Sequence, residues 1–385
     1  MRRHAEDDAG SSQKYIAEDH RSFAAPWHRP HDMFRPMKHD TFRRVTEQPL
    51  NGAPPPARLV HSGTTAVEDF FVRNHGDIPA SLGDAHQVRV HGACAAPFTI
   101  DVATLRSSYA QVSRPASLQC AGNRRDQVSA LRPTPGELPW ASEAVGQAVW
   151  GGVELSALLD AAQPSNEVAH VCFVGADIVT SGAAAGKMFG GSIPIADARR
   201  AILALTMNGA PLSPEHGAPV RVVVPGVIAA RSVKWLTDII LSAAPSDNYF
   251  QQGAYRLGTR AAPGAMLNHL PLNSAIMTPS DGSTVAAGTV AIVGWATPRA
   301  GAHIVGVECS VDDGATWRPT TLLDEPRPDS LTRWRCELAL AAGAHRICCR
   351  AADTLGSDQP DDPAVTWNER GYLNNAWHRV DIVAR

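Results

Sequence analysis

The sequence predicts an α+β domain followed by an all-β, immunoglobulin-like sandwich. Three observations carry this. A chain of 385 residues, 44% of them hydrophobic, exceeds one ordinary core and fits two domains plus a tail. Between about residues 56 and 265 strand-like apolar runs are mixed with short helical pieces. After Pro271 the character changes: short runs at 274–279, 289–295, 305–311, 334–340 and 345–351, several of them alternating, recur at the spacing of an antiparallel sandwich. The boundaries read as 1–55 for an N-terminal arm and linker, 56–265 for the first domain and 266–385 for the sandwich.

Taken in order, residues 1 to about 50 are charged and histidine-spotted, and Pro26, Pro30 and Pro36 interrupt any helix. They read as a loose arm over the first domain. His28, His31 and His39 are too irregularly spaced to favour a metal cluster. Residues 51–56, Asn-Gly-Ala-Pro-Pro-Pro, read as a linker. In the next string Phe70 and Phe71 would enter the core while Arg73, Asn74 and His75 emerge together, so that three polar groups converge on one anion or else sit in a surface loop. Residues 87–101 alternate and read as a hairpin.

Residues 117–125, Ser-Leu-Gln-Cys-Ala-Gly-Asn-Arg-Arg, place one cysteine at the end of an apolar run, before a glycine turn and two arginines. A thiolate is stabilised beside guanidinium charge, which makes Cys120 a candidate soft ligand or nucleophile. The plainer alternative is a small buried cysteine.

Residues 140–159 read as a loop entering a short helix. The run 168–174 reads as a strand leading to Asp177, at a pocket mouth or capping the next turn. Gly190 and Gly191 would let backbone approach a ligand ahead of a helix near Asp197. Val220 to Val224 reads as a buried strand stopped by Pro225 and Gly226. Arg221 inside it demands a partner, because an unpaired buried charge is costly, and a phosphate would serve. Asp312-Asp313-Gly314 reads as a tight hairpin in the sandwich.

A formal net charge of -3 argues against nucleic acid, which favours a strongly basic face. No run approaches the ~20 apolar residues of a membrane span. The first ten residues are polar and acidic, and the residues after Arg2-Arg3 supply no hydrophobic segment for a twin-arginine leader. The expectation is a cytoplasmic protein, periplasmic only with a leader. Seven cysteines without a CxxC pair suit a reducing compartment.

The string 117–125 resembles the molybdenum-ligating segment of the sulfite oxidase family. Further strings similar to that family follow the same order from about residue 67 to 382: 68–75, 207–236, 310–317 and 366–380. The resemblance implies a sulfite-oxidase-type molybdopterin-binding domain followed by a dimerisation domain, with molybdenum and molybdopterin as cofactors and Cys120 as the metal ligand. It assigns Phe71, Val72, Arg73, Asn74, His75, Asp177, His216, Arg221, Ser232, Val233 and Lys234 to cofactor binding. Arg73, Cys120, Arg125, Tyr255 and Arg370 take the catalytic positions. Tyr255 stands in Ala-Tyr-Arg where the family has Asp-Tyr-Lys, which leaves Tyr249 as a rival. Glu369 replaces an apolar residue and would either weaken anion binding or point to solvent.

The implied function is oxidation of sulfite to sulfate by oxo transfer in a homodimer, with electrons passed to an external acceptor such as a cytochrome. Nitrate reductases share the cysteine string, although no His-Pro-Gly-Gly haem string occurs in this chain. Reduction of S- or N-oxides and a non-catalytic molybdopterin-binding paralogue are the other readings.

Overall fold

The computed structural model of the protein describes residues 38–80 and 82–385. The arm expected up to residue 37, with His28 and His31, lies outside them. His39 is described, and its ring engages the Thr41 hydroxyl at 2.8 Å.

The first part runs in order through β1 (Arg43–Thr46), β2 (Asn51–Ala53), α1 (Pro56–Leu59), β3 (Gln87–Gly92), β4 (Phe98–Asp101), α2 (Val102–Ser108), β5 (Gln111–Gln119), α3 (Arg125–Leu131) and β6 (Val145–Glu154). It continues with α4 (Leu155–Ala162), β7 (His170–Ile178), β8 (Met188–Pro194), α5 (Ile195–Ala198), β9 (Ile202–Met207), β10 (Ala210–Pro211), β11 (Arg221–Val223), β12 (Leu236–Ser242) and α6 (Tyr249–Gln252). Two five-stranded sheets result. One has the order β10-β9-β6-β5 with β11 on β9, the other β4-β3-β12-β7-β8.

Strand β9 shows why the first sheet is buried on both faces. Successive side chains leave a strand on opposite faces. Ile202 and Ala204 accordingly join Phe70, Leu118 and Trp150 on one side, while Leu203 and Leu205 join Val88, Phe173 and Ile239 on the other. An uninterrupted Ile-Leu-Ala-Leu run is what such a strand requires.

Three local readings change. Residues 51–53, read as linker, form a buried strand paired to β1. Residues 151–154 complete strand β6 before α4 begins, and Gly152 is needed where a Cβ would stand 2.0 Å from the Leu203 carbonyl oxygen. Gly190 and Gly191 admit protein instead of ligand, since a Cβ there would meet the Phe173 carbonyl and the Arg231 guanidinium.

The remaining strands are β13 (Asn273–Thr278), β14 (Thr284–Val285), β15 (Gly288–Thr297), β16 (Ile304–Ser310), β17 (Arg318–Pro319), β18 (Thr321–Leu322), β19 (Thr332–Leu340), β20 (Gly343–Asp353) and β21 (His378–Ala384). They make two sheets, β13-β15-β19-β18 and β14-β21-β20-β16-β17. Along β19 the buried Trp334, Cys336, Leu338 and Leu340 alternate with outward Arg333, Arg335 and Glu337, as a half-buried strand demands.

Arg124 ties the two parts together. Fully buried, with φ 63°, it donates to Asn273 Oδ1 at 2.6 Å, to the Ser274 carbonyl at 3.1 Å and to the Ala376 carbonyl at 2.6 Å, while Asn374 Nδ2 returns a bond to its carbonyl at 2.9 Å. The segment leading into β21 thereby lies against the cysteine turn, and the Leu373 amide donates to the Ala121 carbonyl at 2.7 Å.

Candidate active site

Four strand or loop ends converge on one cleft. Strand β5 ends at Gln119 and delivers Cys120, β7 delivers Asp177 near its end, β11 begins with Arg221, and the loop before β12 carries Ser232 and Lys234. Arg73, Asn74 and His75 enter from a loop held by the hairpin below it. Asn51 Oδ1 accepts from the Asn74 amide at 2.7 Å and from Arg73 Nη1 at 3.2 Å, and Asn74 Nδ2 donates to the Leu50 carbonyl at 2.9 Å. Gly76 then lets this loop press on β7, where a Cβ would stand 2.0 Å from the Ile178 carbonyl oxygen.

Cys120 is buried, and its Sγ accepts the Gly122 amide at 3.4 Å in the turn that follows. It is the one cysteine among the cleft-lining residues. Tyr255 also lines the cleft, held at φ 50°, with its hydroxyl 2.9 Å from His75 Nε2 and the Arg231 guanidinium over its ring. Tyr249 does not line it, so Tyr255 is the tyrosine that the fold brings to Cys120.

The electrostatics of the cleft are those of a cavity built for an anion. Lys234 contacts the Asn74 side-chain oxygen and the Glu215 carbonyl. Burial, then the positive charges of Arg221 and Arg73, hold its pKa well below the lysine range against the pull of Asp177 and Glu215. Burial pushes Arg221 down to about 9, although its guanidinium donates to the His216 and Ser232 carbonyls at 3.1 and 2.9 Å. Burial and the neighbouring cations also keep His75 and His216 neutral. Asp177 is raised to about 6 by burial, opposed by Lys234, and its Oδ1 is buried without a hydrogen-bond partner.

Phe71, Arg73, Asn74, His75, Cys120, Asp177, His216, Arg221, Ser232, Lys234 and Tyr255 therefore meet in one place. Val72 and Val233 do not line the cleft. Val72 exchanges both backbone bonds with Gly52, and the Val233 carbonyl accepts from the Val222 amide. Arg125 and Arg370 also lie outside the lining, beyond Tyr372. That ring stacks on Tyr255 at 5.4 Å, and Arg125 lies over it at 5.4 Å. Glu369 is half-buried and accepts the Arg260 amide at 2.6 Å.

Two contributors escape a reading of the sequence. Lys38 comes from the segment read as a loose arm, yet its buried ammonium donates to the Val67 and Phe70 carbonyls at 2.8 and 2.9 Å and to His216 Nε2 at 2.8 Å. His216 Nε2 also lies 3.4 Å from the Val67 carbonyl oxygen. Glu137 sits between Arg125 and Arg370, 3.6 and 3.2 Å from their guanidinium nitrogens. No local motif marks either residue, since their partners are more than a hundred positions away or in another loop.

Among the described residues no group of three or more His, Cys, Asp or Glu side chains is placed to hold a metal ion, and no helix is long and apolar enough to cross a membrane.

Comparison with known proteins agrees with this geometry. Residues 75–250 match the oxidoreductase molybdopterin binding domain and residues 265–385 the Mo-co oxidoreductase dimerisation domain, the latter supporting a homodimer. The chain is 37% identical over 366 residues to sulfite oxidase of Gallus gallus, covering 89% of this chain and 78% of that protein, and spans 66% of the mammalian mitochondrial sulfite oxidases. It is also 33% identical over 373 residues to inducible NADH nitrate reductase 2 of Glycine max, covering 88% of this chain and 41% of that one. The sulfane dehydrogenase SoxCD of Paracoccus pantotrophus shares the fold, with a TM-score of 0.76 at 22% identity over 87% of this chain and 84% of that one. With its cysteine turn, cationic cleft and C-terminal sandwich matched along nearly the whole length, this chain belongs to the sulfite oxidase family of molybdopterin-dependent oxidoreductases.

Proposed function

We propose that this protein oxidises sulfite to sulfate at a molybdenum centre ligated by Cys120, as a homodimer that hands its electrons to an external acceptor such as a cytochrome. The observation that carries the reading is the meeting of Cys120, Arg73 and Tyr255 with the buried cations Arg221 and Lys234 in one cleft.

The residues present fit a molybdopterin cofactor. Arg221 and Lys234 are buried cations with too little negative charge beside them, which suits a phosphate. The unpartnered Asp177 Oδ1 suits a pterin N–H donor. Phe71, Asn74 and Ser232 complete the walls. When bound, the cofactor supplies two-electron chemistry coupled to oxygen-atom transfer.

The protein's own part is positioning. Cys120 offers one soft donor from a turn that Gly122 and the returning segment at Leu373 hold in place. Burial keeps the Tyr255 phenol protonated across the working pH range, so its hydroxyl is a donor. Neutral His75 orients that hydroxyl. Arg73 presents positive charge to an arriving anion, and Arg125 and Arg370 form a second rank behind Tyr372. Electrostatic preorganisation of this kind costs no rearrangement when the anion lands.

Nitrate reduction is the reading that the likeness to the soybean enzyme would support. Molybdenum-loaded protein assayed with sulfite and an artificial one-electron acceptor, and with reduced dye and nitrate or S- and N-oxides, separates the two. Sulfite turnover that vanishes in Cys120→Ser, with pterin content retained, is the expected result. Wild-type turnover by Cys120→Ser would end the ligand assignment.

A further inference from the structure

Behind Tyr372 lies a cluster that the cofactor cleft does not explain. Glu137 Oε1 lies 3.2 Å from Arg370 Nη1 and 3.0 Å from Arg260 Nη2, and its Oε2 lies 3.6 Å from Arg125 Nη2. Three guanidinium groups thus face one carboxylate, and the cluster keeps two positive charges in excess. The Glu137 side chain is 13% exposed and Arg260 46%, so the cluster opens to solvent on the Arg260 side.

A carboxylate gripped by two or three arginines has the shape and charge-assisted bonding of a small oxyanion in the same place. Arg125 and Arg370 are fastened from behind as well. Arg125 Nε donates to the Arg370 carbonyl and Nη1 to the Leu138 carbonyl, both at 2.7 Å, and Arg370 Nη2 donates to the Gly253 carbonyl at 2.9 Å. The guanidinium faces are therefore fixed while Glu137 sits on a loop, between Pro135, whose carbonyl takes Arg260 Nη2 at 2.7 Å, and Leu138.

We propose that Glu137 is a specificity-determining residue: an internal carboxylate that occupies the Arg125–Arg370 pair, is held there by Arg260, and must give way to a doubly charged sulfur oxyanion. Its competition sets how strongly the site holds such an anion. A dianion in its place neutralises two of the three guanidinium charges where Glu137 neutralises one, whereas a monoanion of similar size only equals the carboxylate it replaces. Selection for charge as well as shape follows.

This inference rests on the sulfite reading, and the test keeps the two apart. Glu137→Gln retains the size and one acceptor oxygen but removes the charge. In the molybdenum-loaded full chain it is expected to lower the KM for sulfite three- to tenfold and to tighten sulfate binding, measured by calorimetry without turnover, by the same factor. A crystal of the wild-type protein soaked in sulfate should show the ion between Arg125 and Arg370 with the Glu137 side chain turned out. Tighter sulfate binding by Glu137→Gln in a protein that turns over no sulfite would sink the sulfite reading and leave the role of Glu137 standing. Unchanged or weaker sulfate binding in Glu137→Gln, or sulfate bound with Glu137 still in place, would overturn the inference. The soak needs no variant and decides the matter even if Glu137→Gln fails to fold.

Discussion

Replacing Lys38 by methionine tests the charge balance of the cleft through stability, without any assay of turnover. Burial lowers the Lys38 pKa from 10.5 to about 8, against the opposing pull of Glu215, Asp69 and Glu68. A base whose folded pKa lies below its unfolded value binds fewer protons folded than unfolded, so stability rises with pH between the two values. Charging Lys38 inside the fold therefore costs about 3 kcal/mol below about pH 8, a cost that fades towards about pH 10.5.

Cofactor-free protein should accordingly gain that much stability, relative to Lys38→Met, as the pH is raised across this window. Urea unfolding of both proteins at a series of pH values measures it. Loading with the anionic cofactor should shrink the difference, because negative charge in the cleft favours the ammonium. Parallel stability curves for wild type and variant in the cofactor-free state would refute the claim that Lys38 is a buried cation whose charge costs stability. A constant offset is expected in addition, since the Val67 and Phe70 carbonyls and His216 Nε2 lose their shared donor.

Arg370→Met removes one charge-assisted contact from the second rank of arginines and should raise the KM for sulfite by about one to two orders of magnitude, with molybdenum content by metal analysis unchanged. Arg124→Met strips the buried donor from Asn273, Ser274 and Ala376. Each buried carbonyl or amide oxygen left without its donor costs about 1 to 3 kcal/mol, readable as a lowered urea midpoint, whereas an unchanged midpoint would mean that the contact is dispensable.

Much of this was legible in the chain because the signals are local. Alternation along 334–340 marks a sandwich strand, and Arg221 within an apolar strand announces a missing anion by its cost alone. The strings carrying Cys120 and residues 73–75 fall where one wall of the cleft needs them. What stayed hidden depends on distant partners. Asn51 looked like linker because nothing nearby shows that its side chain supports the amide of Asn74. Lys38 looked like solvated charge because the shell that buries it, from Val67 to Phe70 and Glu215 to His216, lies elsewhere. The two arginines of the 117–125 string read as a pair, yet only the turn geometry sends Arg124 into the sandwich and Arg125 towards Glu137.

The hold of residues 373–376 on the cysteine turn has a consequence for biosynthesis. Arg124 is held within the first part by Gln127 and the Ala141 carbonyl, but its bonds to Asn273, Ser274 and Ala376, and that from Leu373 to Ala121, come from the last, so on a ribosome the cysteine turn waits for part of its support. A fragment ending before Asn273 would keep every residue that lines the cleft but lack these supports of the cysteine turn.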